Sequence, residues 1–311
     1  MDTDRNQKKQ IIRESLKSHR NMVGLVIFLI LFLAGILIGG QIGLYFNLAS
    51  FLIVVGGTMG AAMISFGLER LAVVWKVLKV SFRSRQKRPE EIIEALVDLS
   101  LKSKLKGLLS LQEDEEEASV LFLRHALGLL VDGYPVAQIR DFLNTEMFFF
   151  RMRREEIERI LRTLGESSPA FGLVGSIVGL IAMLAGVGDT ATILATVPIA
   201  LTSTLYGLLL ANFLFLPLNA HIQERTDHEL LLQKIILEGV VAIGSNLHPR
   251  TLEMKLKSLL TPSSRKGKLV SIERIREMFK VEKGGETETL PEIQIPDTEP
   301  IPIPDTEPIP E

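Results

Sequence analysis

Apolar and polar positions fall into blocks along this chain. Uncharged, largely apolar runs occupy residues 22–43, 48–68 and 168–217, the last broken by a short connection around Asp189. Each run, or each half of the last, approaches the ~20 residues that cross a bilayer core at about 1.5 Å rise per residue. Elsewhere apolar residues recur at helical spacing. Ile92, Ile93, Leu96 and Val97 follow Pro89-Glu90-Glu91, a proline and two acids suited to a first helical turn. Asp132-Gly133-Tyr134-Pro135 marks a turn, and Asn246-Leu247-His248-Pro249-Arg250 a break between two later helices. The pattern predicts an all-α integral membrane protein with four transmembrane helices in two hairpins and a helical cytoplasmic domain.

Charge orients that plan. Arg5, Lys8, Lys9, Arg13, Lys17 and Arg20 precede the first run, and Arg70, Lys76, Lys79, Arg83, Arg85, Lys87 and Arg88 follow the second. Arg151, Arg153 and Arg154 precede the second hairpin and Arg225 follows it, whereas the connections carry only Asp189. Basic flanks stay inside, so both termini are expected in the cytoplasm. The expected organisation is a cytoplasmic lead (1–21), membrane helices one and two (22–68), a cytoplasmic helical insert (69–167), helices three and four (168–217), cytoplasmic C-terminal helices (218–262) and a linker with an acidic tail (263–311). In that tail residues 295–302, Ile-Pro-Asp-Thr-Glu-Pro-Ile-Pro, repeat identically as 303–310. Frequent proline and mutual repulsion of acids predict an extended, disordered segment. Residues 284–311 hold eight acidic and no basic side chains, leaving 35 basic against 29 acidic in the rest. That excess lies beside membrane segments, where it bears on topology rather than nucleic acid.

Composition removes several chemistries. The chain has no cysteine, so disulfides, thiolate metal sites and cysteine nucleophiles are excluded. Its five histidines share no metal-ligand spacing, and neither a phosphate-binding glycine loop nor a nucleophile elbow is present. The expectation is a protein that is not an enzyme and needs no cofactor.

The second hairpin carries the candidate chemistry. Gly172, Gly175 and Gly179 lie on one helix face, with Ser176 on or beside it. Thr202, Ser203 and Thr204 fan over most of a turn and cannot all face lipid cheaply. Pro169 is expected to open the third helix and Pro217 to close the fourth, each near the cytoplasmic side. Free carbonyls and hydroxyls are hard oxygen ligands, suited to a small cation or water; simple helix packing is the competing reading. No Asp, Glu, His, Lys or Arg lies at membrane depth, so any charged group on an ion path must come from another chain. In the insert, Lys102, Lys104 and Lys106 precede the run Gln112-Glu113-Asp114-Glu115-Glu116-Glu117. Such neighbouring clusters read first as a solvated helix face, and alternatively as a docking surface.

The stretches Ser50-Phe51-Leu52-Ile53-Val54-Val55-Gly56-Gly57-Thr58, Pro169-Ala170-Phe171-Gly172-Leu173-Val174-Gly175-Ser176 and Thr204-Leu205-Tyr206-Gly207, with Ala211-Asn212 and Leu216-Pro217, resemble the MotA/PomA subunits of bacterial flagellar stators, within the wider MotA/TolQ/ExbB proton-channel group. Leu130-Val131-Asp132-Gly133 and His248-Pro249-Arg250 also fit, and the likeness covers roughly residues 22–262. It implies an inner-membrane homopentamer around a dimer of a single-span MotB/PomB-like partner that supplies an essential Asp. Pro169, Gly172, Ser176, Ser203 and Thr204 would line the ion path, and Pro217 would couple ion passage to the cytoplasmic part. Ion flow would then turn a rotor (switch-complex) protein. The family's rotor-facing Arg and Glu fall at Lys104 and Gln112, with Glu113 and Asp114 as stand-ins for the lost acid; Lys is not equivalent to Arg at bidentate contacts. Hydroxyls at Ser176, Ser203 and Thr204 favour sodium, with protons as the alternative. A membrane scaffold, and an ExbB/TolQ-like channel energising another envelope process, are the competing functions.

Overall fold

The computed structural model describes residues 34, 38, 45–83, 87–118, 120–187 and 189–260. The cytoplasmic lead, nearly all of the first predicted span and the C-terminal segment from residue 261 lie outside the described residues.

Helix α1 (Leu48–Phe66) starts at Asn47, whose side chain accepts from the Ser50 amide at 3.0 Å. It ends at Gly67, whose φ of 77° is readily open only to glycine. α2 (Leu68–Arg83) follows directly. α3 (Pro89–Lys106) begins with the proline and acids of its first turn and stops at Gly107, again left-handed at φ 84°. A 3₁₀ turn (Leu108–Leu111) leads into the short acidic α4 (Gln112–Glu117), and α5 (Leu121–Val131) ends at the expected Asp132-Gly133 turn.

The first departure from expectation is α6 (Val136–Ala185), one continuous helix of 50 residues, about 75 Å long. Pro169 does not open a helix; it sits inside this one. The expected division at 167/168 therefore falls within an unbroken rod. Proline costs a helix its i→i−4 bond, but the surrounding turns hold, and Ser168 Oγ donates to the Leu164 carbonyl at 2.7 Å. α7 (Thr190–Leu209) is capped by Asp189, which accepts from the amides of Ala191 (3.1 Å) and Thr192 (3.2 Å).

The second departure lies at Pro217. A wide π turn (Leu210–Phe215) follows α7, and α8 (Leu216–Gly244) continues at once with Pro217 in its first turn. Pro217 thus stands in the first turn of α8 rather than at the end of α7. Its missing amide is tolerated at a helix start, and the π turn absorbs the change of register. α9 (Pro249–Lys257) follows the expected break, where Asn246 is left-handed at φ 55° and His248 Nδ1 accepts from the Arg250 amide.

Among the described residues, three helical stretches are long and apolar enough to cross a bilayer: Leu48–Phe66, Val136–Ala185 and Thr190–Gly244. Two cores hold the molecule together. Beneath the spans, Ala62, Val74, Leu78, Ile160, Leu161, Phe215 and Ile222 join α1, α2, α6 and the α7–α8 junction. Farther along, Leu96, Leu127, Leu143, Ile236, Val240 and Leu252 join α3, α5, α6, α8 and α9. α6 enters both cores and runs on into its apolar, span-length stretch, so it ties the distal helical domain to the candidate site.

Candidate ion-path site

The α6–α7 seam is close because its positions lack side chains. A Cβ added at Gly172 would lie 3.0 Å from the Ser203 carbonyl oxygen, at Gly179 2.6 Å from the Ala200 amide nitrogen, and at Gly207 2.6 Å from the Ser168 carbonyl oxygen. Backbone approach of this kind is what small-residue spacing provides between apolar helices.

Across that seam Ser176 and Thr204 meet. Ser176 Oγ lies 2.5 Å from Thr204 Oγ1 and donates at 2.5 Å to the Ala200 carbonyl. Both residues are half-buried. Their helical neighbours Leu173, Ile177, Leu201 and Leu208 are exposed, so this oxygen cluster lies beside an open, otherwise apolar face.

The consecutive hydroxyls of α7 divide the work. Thr202 turns to α1, where its Oγ1 lies 2.7 Å from Ser50 Oγ. Ser203 is buried, donates to the Ile199 carbonyl at 2.7 Å and fills the space opposite Gly175, whose added Cβ would sit 2.4 Å from Ser203 Oγ. Only Thr204 reaches Ser176. Gly172 lies behind the pair, with the Thr204 Cα 3.3 Å from its Cβ position. Pro169 lies about one turn of α6 before Gly172, half-buried, and cannot donate to the Gly165 carbonyl.

Several contributors were not singled out from sequence. Pro198 lies inside α7 and leaves the Leu194 carbonyl without its usual donor. Ser50 packs against Thr202 and also donates to the Ile199 carbonyl at 3.0 Å. The Tyr206 hydroxyl accepts from the Asn47 amide at 2.9 Å and donates to the Tyr45 carbonyl at 2.5 Å. A serine and a tyrosine in apolar stretches were visible signals, but their partners lie 152 and 159 residues away in the chain.

In the helical domain of α3–α5 and α9, Lys104 and the acids following it are not brought together. Lys104 Nζ donates to the Asn246 carbonyl at 3.1 Å. Asp114 and Glu113 are held instead by Lys102, at 2.6 and 3.7 Å. Gln112 is exposed. A multivalent electrostatic centre there is Glu238 on α8, whose carboxylate lies 2.8 Å from Arg140 on α6, 3.1 Å from Lys234 and 2.7 Å from Lys255 on α9. Burial alone would raise its pKa; hydrogen bonds from Arg140, Lys255 and Lys234 instead bring it down to about 2. No cluster of His, Cys, Asp or Glu suited to a metal occurs among the described residues.

The profile of the MotA/TolQ/ExbB proton channel family matches residues 114–234. Uncharacterized protein YtxD of Bacillus subtilis (strain 168) is 34% identical over 237 residues, 75% of this chain and 87% of YtxD. Chemotaxis protein PomA of Vibrio alginolyticus is 30% identical over 244 residues, 78% of this chain and 96% of PomA. The solved structure of C. jejuni MotAB superposes with a TM-score of 0.74 at 27% identity, covering 81% of this chain and 99% of that one.

Proposed function

The chain belongs to the MotA/PomA family, and on that premise we propose that it is the ion-conducting stator subunit of a bacterial flagellar motor. In this reading it spans the inner membrane four times with both termini in the cytoplasm. Several copies, five by family resemblance, surround a single-span MotB-like partner. The exposed face beside Ser176 and Thr204 is where that partner's helix passes, and its carboxylate supplies the charge that residues 168–217 lack apart from Asp189. Ion passage drives rotation against the rotor, relayed through the π turn and Pro217 into α8.

The observation that carries this reading is the triad of oxygens from Ser176, Thr204 and Ala200 on the α6–α7 seam. Two hydroxyls and a carbonyl at one point can replace part of the water shell of a hard cation, and we assign sodium as the coupling ion. The test is the speed of tethered cells carrying the chain and its partner, across a sodium series at fixed pH. Wild-type speed is expected to follow sodium. Ser176→Ala and Thr204→Ala should each raise the sodium required for half-maximal speed by about tenfold, the equivalent of one lost hydrogen-bond-sized interaction. Speed that ignores sodium and collapses with the proton gradient would reverse the ion assignment. Variants equal to wild type under both gradients would return the two hydroxyls to helix packing.

A further inference from the structure

One edge of the helical domain carries cations without an acidic partner, beside exposed leucines, among the described residues. Lys104, Lys106 and Arg250 form no ion pair among the described residues. Between and beside the two lysines, Leu105 is 65% exposed and Leu109 72% exposed. Lys104 Nζ sits on the Asn246 carbonyl, four residues before Arg250, which brings the α3 end and the α9 start together. A surface with both unpaired cations and exposed leucines fits a partner that is acidic and apolar at once.

This chain contains such a segment. Residues 295–311 hold five acids, no base, four isoleucines and six prolines. The last described residue, Leu260, is buried in the same hydrophobic cluster as Leu101 and Leu111, which flank the 104–109 edge. Only α9, of nine residues and about 14 Å, separates that exit point from the Asn246 region. The 34 residues between Leu260 and Ile295 span that distance even if they were wound as a helix.

We propose that the acidic repeat, residues 295–311, docks on the 104–109 edge of its own chain. Asp297, Glu299, Asp305 and Glu307 pair with Lys104, Lys106 and Arg250, while the Ile-Pro steps cover Leu105 and Leu109. Each exposed ion pair contributes at most about 1 kcal/mol, so the contact is weak as a separate peptide. Tethering changes the balance, because a covalently attached ligand experiences an effective concentration in the millimolar range. The tandem copy supplies a second equivalent register for the same contact. Docked, the tail covers Lys104, so it competes with an acidic rotor surface; this consequence rests on the stator reading, whereas the docking does not.

The absence of native cysteine makes the test direct. The full chain is expressed with its partner as Gln112→Cys/Thr306→Cys, and membrane vesicles are mildly oxidised. An intrachain disulfide is expected, and its yield should fall about tenfold as salt shortens the screening length from ~10 Å at 0.1 M to ~3 Å at 1 M. Neutralising the tail (Asp297→Asn, Glu299→Gln, Asp305→Asn, Glu307→Gln) should cut the yield equally while leaving the folded domain untouched. Equal yield for the distant pair Met152→Cys/Thr306→Cys would overturn the proposal. So would a product of twice the chain mass, or a yield indifferent to salt and tail charge. Failure of the stator reading would appear differently, as ion-independent motility with the disulfide still formed.

Discussion

At the scale of single residues, direction on the helix decides what a hydroxyl can do. Ser203 and Thr204 are neighbours of similar chemistry, yet a step of ~100° turns one into the packed interior and the other onto Ser176. Ser203 is closed on the Ile199 carbonyl, so Ser203→Ala is expected to keep the wild-type sodium dependence of speed while Thr204→Ala shifts it. A matching shift in both variants would put Ser203 back on the ion path. The glycines admit a similar contrast. A methyl at Gly179 meets the Ala200 backbone at 2.6 Å, and backbone cannot yield as a flexible side chain can. Gly179→Ala should therefore destabilise the purified assembly by about 1–3 kcal/mol in detergent melts. Gly60→Ala, with nothing within 4 Å of its added Cβ, should leave the single-chain packing unchanged.

At the scale of elements, the short turn before α1 shows how one tyrosine seats a helix. Tyr206 closes over residues 45–47, satisfying the Asn47 amide and the Tyr45 carbonyl, while its ring stands edge-on to Phe51 with centroids 6.4 Å apart. Non-helical backbone beside an apolar span must find partners within the protein. Tyr206→Phe keeps the ring and strands both groups, so a loss of about 1–3 kcal/mol in thermal melts is expected; an unchanged melt would mean that water satisfies them. The existence of α1, α3, α7 and α9, and the break before α9, were legible in the sequence, because apolar runs, first-turn residues and turn signals are local; the capping roles of Gly67, Asp189 and His248 emerged only from the backbone geometry. The glycine face of α6 was legible for the same reason. The continuity of α6 through Pro169 was not, since it depends on packing in two cores that no short window contains. Pro217 was misjudged likewise: the π turn ahead of it leaves no local mark, only an apolar run of ordinary residues, Leu210–Phe215. The Ser176–Thr204 pair was foreseeable as two hydroxyls in apolar runs, but its meeting point on the Ala200 carbonyl is a product of the seam geometry.

At the scale of the whole molecule, movement beside Ser176 would reach the distal helical domain through α6 only if that rod is fixed at its base. Ile139 and Leu143 anchor that base in the distal core, and Arg140, on the same turn, reaches across to Glu238. Because Glu238 also holds Lys255, one carboxylate with 11% of its side chain exposed joins α6, α8 and α9. Its folded-state pKa of about 2 lies below the ordinary 4.5. The contribution is therefore complete above pH 4.5 and is lost as pH falls through that window toward 2. A shift of this size corresponds to about 3 kcal/mol. Other carboxylates titrate in the same range, so the informative quantity is a difference between two melting profiles. Glu238→Gln keeps the shape and leaves three cations without their anion; it should melt lower than wild type at pH 7 by the equivalent of about 3 kcal/mol. The gap should then narrow as pH falls below 4.5, to roughly half by about pH 3, and close only toward pH 2, where the folded wild-type carboxylate itself takes up a proton. A gap that stays constant with pH would show that the glutamine disturbs packing alone. In that case the apolar contacts of Ile139 and Leu143, and not the ion cluster, would hold the base of the rod.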